Sequence, residues 1–220
     1  MNKKITVLIT SGPTREYIDP VRFISNASSG KMGKAIAEYA LKKGFNVIII
    51  KGPSLPLEIN KRCKVIDVIS TKDMLSAVKK NLEFADIFVG AAAVSDYRPA
   101  QVSKTKIKKN SDVLNLKLIK NPDIIKYVSE HKTNQVVVGF ALESGNLITY
   151  AKKKLTEKNL DMIVANGVAT IGSDKSKPCL LFKNGKTKKI SLSSKENISK
   201  EIINEAVRIF ENNNACKKSC

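Results

Sequence analysis

Six short runs rich in apolar residues do most to limit what this chain can become: Ile5 to Thr10, Asn46 to Ile50, Lys64 to Val68, Asp86 to Gly90, Val136 to Phe140 and Met162 to Ala165. They largely lack the apolar/polar alternation of a strand with one wet face, and so predict strands covered on both sides. Helical patterns lie between most of them: Lys31 to Lys43, closed by Gly44; Lys72 to Leu82, capped by Ser70 or Thr71; Asp123 to Glu130; and Ile148 to Lys158. Strand and helix in this alternation build an α/β protein with a Rossmann-like, open, mostly parallel sheet and helices on both faces. The end of the chain changes character. Leu180 to Ile190 reads as a β-hairpin with Asn184-Gly185 as a type I′ turn. A final helix over Lys195 to Phe210 follows, with Ile198, Ile202, Ala206 and Ile209 at helical spacing.

A chain of 220 residues can bury one sizeable core, and no Pro/Gly/Ser-rich linker or internal repeat divides it. The expectation is one domain over residues 1–211 and a polar, disordered tail over 212–220. The apolar run behind the basic N-terminus is too short for a signal peptide core, and no stretch approaches the roughly 20 residues of a membrane span, which predicts a cytoplasmic protein. Cys63, Cys179, Cys216 and Cys220 show no C-x-x-C spacing, and the lone His131 has no helical partner for zinc. They read as free thiols. A formal net charge of +19 invites a nucleic-acid partner. Yet the excess is nearly all Lys spread along the chain, without Trp or a recognisable nucleic-acid module, and a solvated lysine surface accounts for it better.

Thr10 to Lys34 is a ligand loop: a strand empties into Gly, Pro, Ser, Thr and Asn, then into a helix opening Ser28-Ser29-Gly30. Two phosphate motifs nearly fit. The P-loop needs Gly at Ser25 and a hydroxyl at Met32, and the dinucleotide fingerprint needs more than the lone Gly12 in the first turn. What the loop resembles over its length is phosphopantothenoylcysteine synthetase, the ligase joining 4′-phosphopantothenate to cysteine. The match runs through Thr14-Arg15-Glu16, then Ile18 to Asn26, then Ser28 to Gly33. The resemblance extends over about Val7 to Phe210.

Other candidates acquire roles beside it. Gly90, Ala91 and Ala92 end a strand with residues small enough for close backbone approach, and Asp96 is either a turn cap or a ligand acceptor. The resemblance implies that all four contact the nucleotide. Lys104, Lys106, Lys108 and Lys109 sit in a polar segment that reads as a mobile surface loop or as a flap closing over a triphosphate. The resemblance makes Lys106 the triphosphate-binding lysine. Asn121 is a possible cap with Pro122 early in the helix, while the resemblance places Pro122, Asp123, Ile124, Ile125 and Phe140 at the base. Lys154 and Lys158, four residues apart on one helix side, form either a solvated face or a polyanion site. Tyr150 with Lys154 also spells the Y-x-x-x-K of short-chain dehydrogenases, without the serine and glycine-rich turn those enzymes need.

By the same resemblance, Asn26 orients the acyl intermediate with Arg22 nearby, and Ser29, Gly30, Lys31 and Gly33 meet the substrate phosphate. It further implies Mg²⁺, CTP as co-substrate, no flavin, a homodimer, and a decarboxylase on a separate polypeptide. The sequence leaves the metal ligands open. The alternatives are a Rossmann-like NAD(P)-dependent oxidoreductase and a basic nucleic-acid binder.

Overall fold

The computed structural model describes residues 4–54, 62–109, 112–168 and 173–218. From β1 (Thr6–Ser11) the chain forms a ribbon of β2 (Arg15–Tyr17) and β3 (Phe23–Ser25), then α1 (Lys31–Lys42), β4 (Asn46–Lys51), β5 (Cys63–Asp67) and α2 (Thr71–Asn81). It returns through β6 (Ile87–Gly90), a second ribbon of β7 (Tyr97–Pro99) and β8 (Leu118–Lys120), α3 (Ile124–His131), β9 (Val136–Glu143), α4 (Leu147–Glu157) and β10 (Met162–Gly167). Two-residue strands β11 (Lys175–Ser176) and β14 (Ser193–Ser194) pair with each other and flank β12 (Cys179–Phe182) and β13 (Thr187–Lys189). Helix α5 (Lys195–Lys218) closes the described chain.

The main sheet runs β13-β12-β10-β9-β6-β1-β4-β5. Its six strands from β10 to β5 are parallel, and β12 and β13 add an antiparallel edge. Every residue of β1 is buried, with Val7 and Ile9 in the core beneath α1 and α5 and Leu8 in the core beneath α2, α3 and α4. Double coverage explains the missing alternation in the sequence. From β1 the chain builds outward through β4 and β5, then crosses to β6 and builds the other way. The carboxyl ends of β1 and β6 therefore form the switch point, where open sheets of this kind leave a crevice.

The helix ends follow from local chemistry. Gly44 N–H donates to Leu41 O and Phe45 N–H to Ala40 O, a Schellman ending for α1 with Phe45 packed on the core. Ser70 caps α2 in a reciprocal box with Asp73. Two expectations need correction. The cap of α3 is Asp123, not Asn121, because the backbone N–H and side chain of Asn121 bond elsewhere. The β12–β13 hairpin is not type I′: Gly185 alone has positive φ, and Gly185 N–H donates to Phe182 O while Phe182 N–H donates to Lys186 O. That is a three-residue connection with glycine at the left-handed position. The segment 212–218 continues α5, since neither Pro nor Gly interrupts it; residues 219 and 220 of the expected tail lie outside the described residues. No helix among the described residues is long and apolar enough to cross a membrane.

Candidate active site

At the switch point lies an open cleft of about 960 Å³. Thr10 and Gly90, at the ends of β1 and β6, form part of its lining, and its walls come from the loops beyond them. Most expected residues meet here: Asn26, Ser29, Gly30, Lys31 and Gly33 on one side; Gly90 to Ala92 and Asp96 at the sheet edge; Pro122 to Ile125, Phe140, Lys154 and Lys158 opposite. Gly33 serves packing as well, because a Cβ there would come within 2.2 Å of Ser11 Oγ, so α1 lies directly on β1. Tyr150, the other half of the dehydrogenase-like motif, is half-exposed and is not part of the lining.

Cations approach the cleft from both faces of the sheet. On the α4 side, Lys154 Nζ donates to Phe140 O at 2.8 Å, and Lys158 Nζ pairs with Asp123 at 2.7 Å. Burial, and then the Lys158 ammonium, push the Lys154 pKa below its ordinary value against the pull of Asp123, Glu143 and Asp96. A lysine in that position gains from an arriving anion. Burial raises the Asp123 pKa, but bonds from Lys158 and Lys126 N–H outweigh it and hold this carboxyl low. On the α1 side, Lys31 Nζ pairs with Asp174 at 2.7 Å, and Lys195 donates to Ser173 O. Burial and Lys31 lower the Lys195 pKa, while Asp174 opposes them.

Lys195, Asn166 and Ser176 line the cleft although the sequence reading missed them. For Lys195 a signal existed: it opens α5, and a cation in the first turn opposes the helix dipole. Asn166 and Ser176 carry no comparable mark.

Asn26 donates through Nδ2 to Ala93 O at 3.2 Å and Val94 O at 3.0 Å, tying the loop before α1 to the sheet-edge loop. Two expected catalytic residues, Arg22 and Lys106, do not line the cleft. Asp19, fully buried, accepts from Val21 and Arg22 N–H, from the Arg22 guanidinium and from Ile107 N–H, while Arg22 Nη2 donates to Ile107 O at 2.8 Å. The Asp19–Arg22 pair thus brackets both backbone groups of Ile107 and holds the exposed Lys106 beside it. Foremost, the Arg22 bond drives the Asp19 pKa far below the ordinary carboxylate range, with burial opposing and the backbone N–H groups adding to it.

Among the described residues no group of three or more His, Cys, Asp or Glu side chains could cage a metal. Magnesium needs only one or two carboxylates beside substrate phosphates, so the exposed Asp96 suits an ion that arrives on a polyphosphate. The Cys63 thiol is pushed up to about 11 by burial, which disfavours the reactive thiolate.

A doubly wound sheet with a cationic cleft at its switch point defines an α/β protein of the class that takes its ligand beyond the carboxyl ends of the strands. A family model described as the DNA/pantothenate metabolism flavoprotein C-terminal domain matches residues 2–209, and the chain belongs to that family. It is 48% identical over 211 residues to the coenzyme A biosynthesis bifunctional protein CoaBC of Haemophilus influenzae, covering 94% of this chain and 52% of that protein. The chain therefore spans about half the length of the curated relatives it matches. A crystal structure of the C-terminal domain of a coenzyme A biosynthesis bifunctional protein CoaBC aligns with a TM-score of 0.83 and 38% identity, covering 94% of this chain and 96% of that one. The DNA/pantothenate metabolism flavoprotein of Streptococcus pneumoniae aligns with a TM-score of 0.82 and 28% identity, covering 94% and 99%.

Proposed function

We propose that this chain is a phosphopantothenate–cysteine ligase of coenzyme A biosynthesis. It joins 4′-phosphopantothenate to L-cysteine at the expense of CTP. The carrying observation is the pair of cationic groups, Lys154/Lys158 and Lys31/Lys195, that line one cleft from opposite faces of the sheet, in a chain matched over residues 2–209 by this family. Two anionic substrates must meet in such a reaction, and each needs its own countercharge.

The pantothenate carboxylate attacks the α-phosphorus of CTP, the bond to pyrophosphate breaks, and an acyl-cytidylate forms. The cysteine amine then attacks the acyl carbon, the amide forms, CMP leaves and the amine proton passes to solvent. Lys154 and Lys158 offset the charge of the departing pyrophosphate; Lys31, Lys195 and the loop Ser29 to Gly33 hold the pantothenate phosphate. Magnesium, when bound, screens the triphosphate, with Asp96 as the available carboxylate. Asn26 orients the acyl group for the amine. Arg22 acts through the Lys106 loop, whose exposed ammonium groups meet the triphosphate. The working form is a cytoplasmic homodimer, a state that sedimentation tests directly.

The deciding measurement is pyrophosphate release from CTP and from ATP with Mg²⁺ and 4′-phosphopantothenate, before and after cysteine. CTP-dependent release, with amide and CMP forming once cysteine is present, is the expected result. Absence of turnover with either nucleotide would overturn the reading.

A further inference from the structure

Behind the cleft wall runs a chain of buried polar groups. Glu16 Oε1 accepts from Thr71 N–H at 2.8 Å and from Thr71 Oγ1 at 2.7 Å. Thr71 Oγ1 lies 3.1 Å from Thr14 Oγ1, which accepts from Ser95 N–H at 3.0 Å. Asn121 Nδ2 donates to Thr71 Oγ1 at 3.2 Å and to Ser95 O at 2.8 Å. Thr14 and Thr71 are 0% exposed, and Glu16 and Ser95 are 4% exposed.

A hydroxyl has one proton and two lone pairs, so these contacts fix their own direction. Thr71 gives its proton to Glu16 and must accept from both Thr14 and Asn121. Thr14, its proton spent on Thr71, offers a lone pair to Ser95 N–H. The backbone of Ser95 is thereby gripped at both its N–H and its carbonyl, while its own Oγ is buried with no hydrogen-bond partner among the described residues.

Thr14 also reaches the other wall. Its carbonyl accepts from Ser25 Oγ at 2.7 Å, one residue before Asn26, and its N–H donates to Ala93 O at 3.4 Å. One residue thus contacts the immediate neighbours of Asn26 and of Asp96. We infer that Thr14 is a positioning residue, its hydroxyl oriented by Glu16 through Thr71, that sets the register between the Asn26 wall and the Asp96 wall. The assignment of acyl chemistry to one wall and nucleotide to the other rests on the ligase reading; the register does not. Two half-reactions share one acyl–phosphate centre here, and misplacement by about 1 Å costs about 10²-fold in rate.

Thr14→Val removes the hydroxyl at near-constant size, and Thr14→Ser keeps it. In the full chain, Thr14→Val is expected to lower the kcat of amide formation about 30-fold to 100-fold. Pyrophosphate release should then exceed amide formed, because acyl-cytidylate is no longer held for the amine. Thr14→Ser should restore one amide per pyrophosphate. A Thr14→Val enzyme with a lowered Tm but unchanged kcat and unchanged pyrophosphate-to-amide ratio would make Thr14 structural and overturn the inference. Amide hydrogen exchange of the unmodified chain gives a readout independent of turnover and of variant folding. Ser95 N–H should exchange as slowly as the β6 amides. Slow exchange without turnover would sink the ligase reading and keep the register, whereas fast exchange in an active enzyme would sink the register.

Discussion

Lys154 on α4 and Lys158 at its C-terminal cap, and Lys104, Lys106, Lys108 and Lys109 between β7 and β8, carry the same side chain, yet only the first pair lines the cleft. The α4 ammonium groups are held by Phe140 O and Asp123, acceptors supplied by β9 and the start of α3. In the β7–β8 connection the main chain is held instead: Ser103 N–H donates to Ile18 O, Ala100 N–H to Lys117 O, and Ile107 sits in the Asp19–Arg22 bracket, while all four lysines are exposed. A fixed backbone with exposed ammonium groups suits a loop that meets its ligand late. A fixed ammonium, desolvated in advance, suits a group that must already be in place.

Lys154→Met tests the contrast most severely. Removing the preorganised charge should slow pyrophosphate release by about 10²-fold to 10³-fold in steady-state kinetics. If Lys106→Met cost as much, the contrast between fixed and exposed cations would be broken. Next comes Asn26→Asp, which sets a carboxylate against Ala93 O and Val94 O. Pyrophosphate release should survive largely intact while amide formation falls about 10²-fold, measured on the separate half-reactions; equal loss of both would remove Asn26 from the amine step. Lys106→Gln should cost only about tenfold in kcat/KM, since an exposed charge is screened. Asp19→Asn should raise the KM for the triphosphate by about threefold by loosening the Lys106 loop, with faster amide exchange at Ile107.

The smallest effect is one of pH. The folded Asp19 carboxyl titrates far below its ordinary 3.8, so the unfolded chain binds more protons in that window and stability falls as pH drops below about 4. Acid denaturation of Asp19→Asn should lack this contribution, and an unchanged acid limb would show that the bracket carries none of it.

Much of the frame was legible in short windows of sequence. Ser70 three residues before Asp73, Gly44 after a helical stretch, and unalternating Val and Ile runs each declare an element locally, because capping and periodicity act over a few residues. Where local reading failed, a distant group had taken over. Asn121 looked like a cap until Ser95 and Thr71 claimed its side chain, and Asp123 filled the place. Arg22, placed near Asn26 by the family resemblance, is bonded to Asp19 and Ile107 and lies outside the cleft lining.

The division is physical. By itself the sequence determined the alternation of strand and helix, the Gly-, Pro- and Ser-rich loop from Thr10 to Lys34 and the shared side of Lys154 and Lys158, consequences of backbone propensity, of apolar runs without alternation and of a 3.6-residue helical period. Only the tertiary structure decided which lysines share a cleft, that Lys195 joins Lys31, and that Glu16 reaches Thr71 and Thr14 reaches Ser95. Those contacts depend on the order of strands in the sheet and on the burial that makes each polar group find a partner, and no local window of residues encodes either.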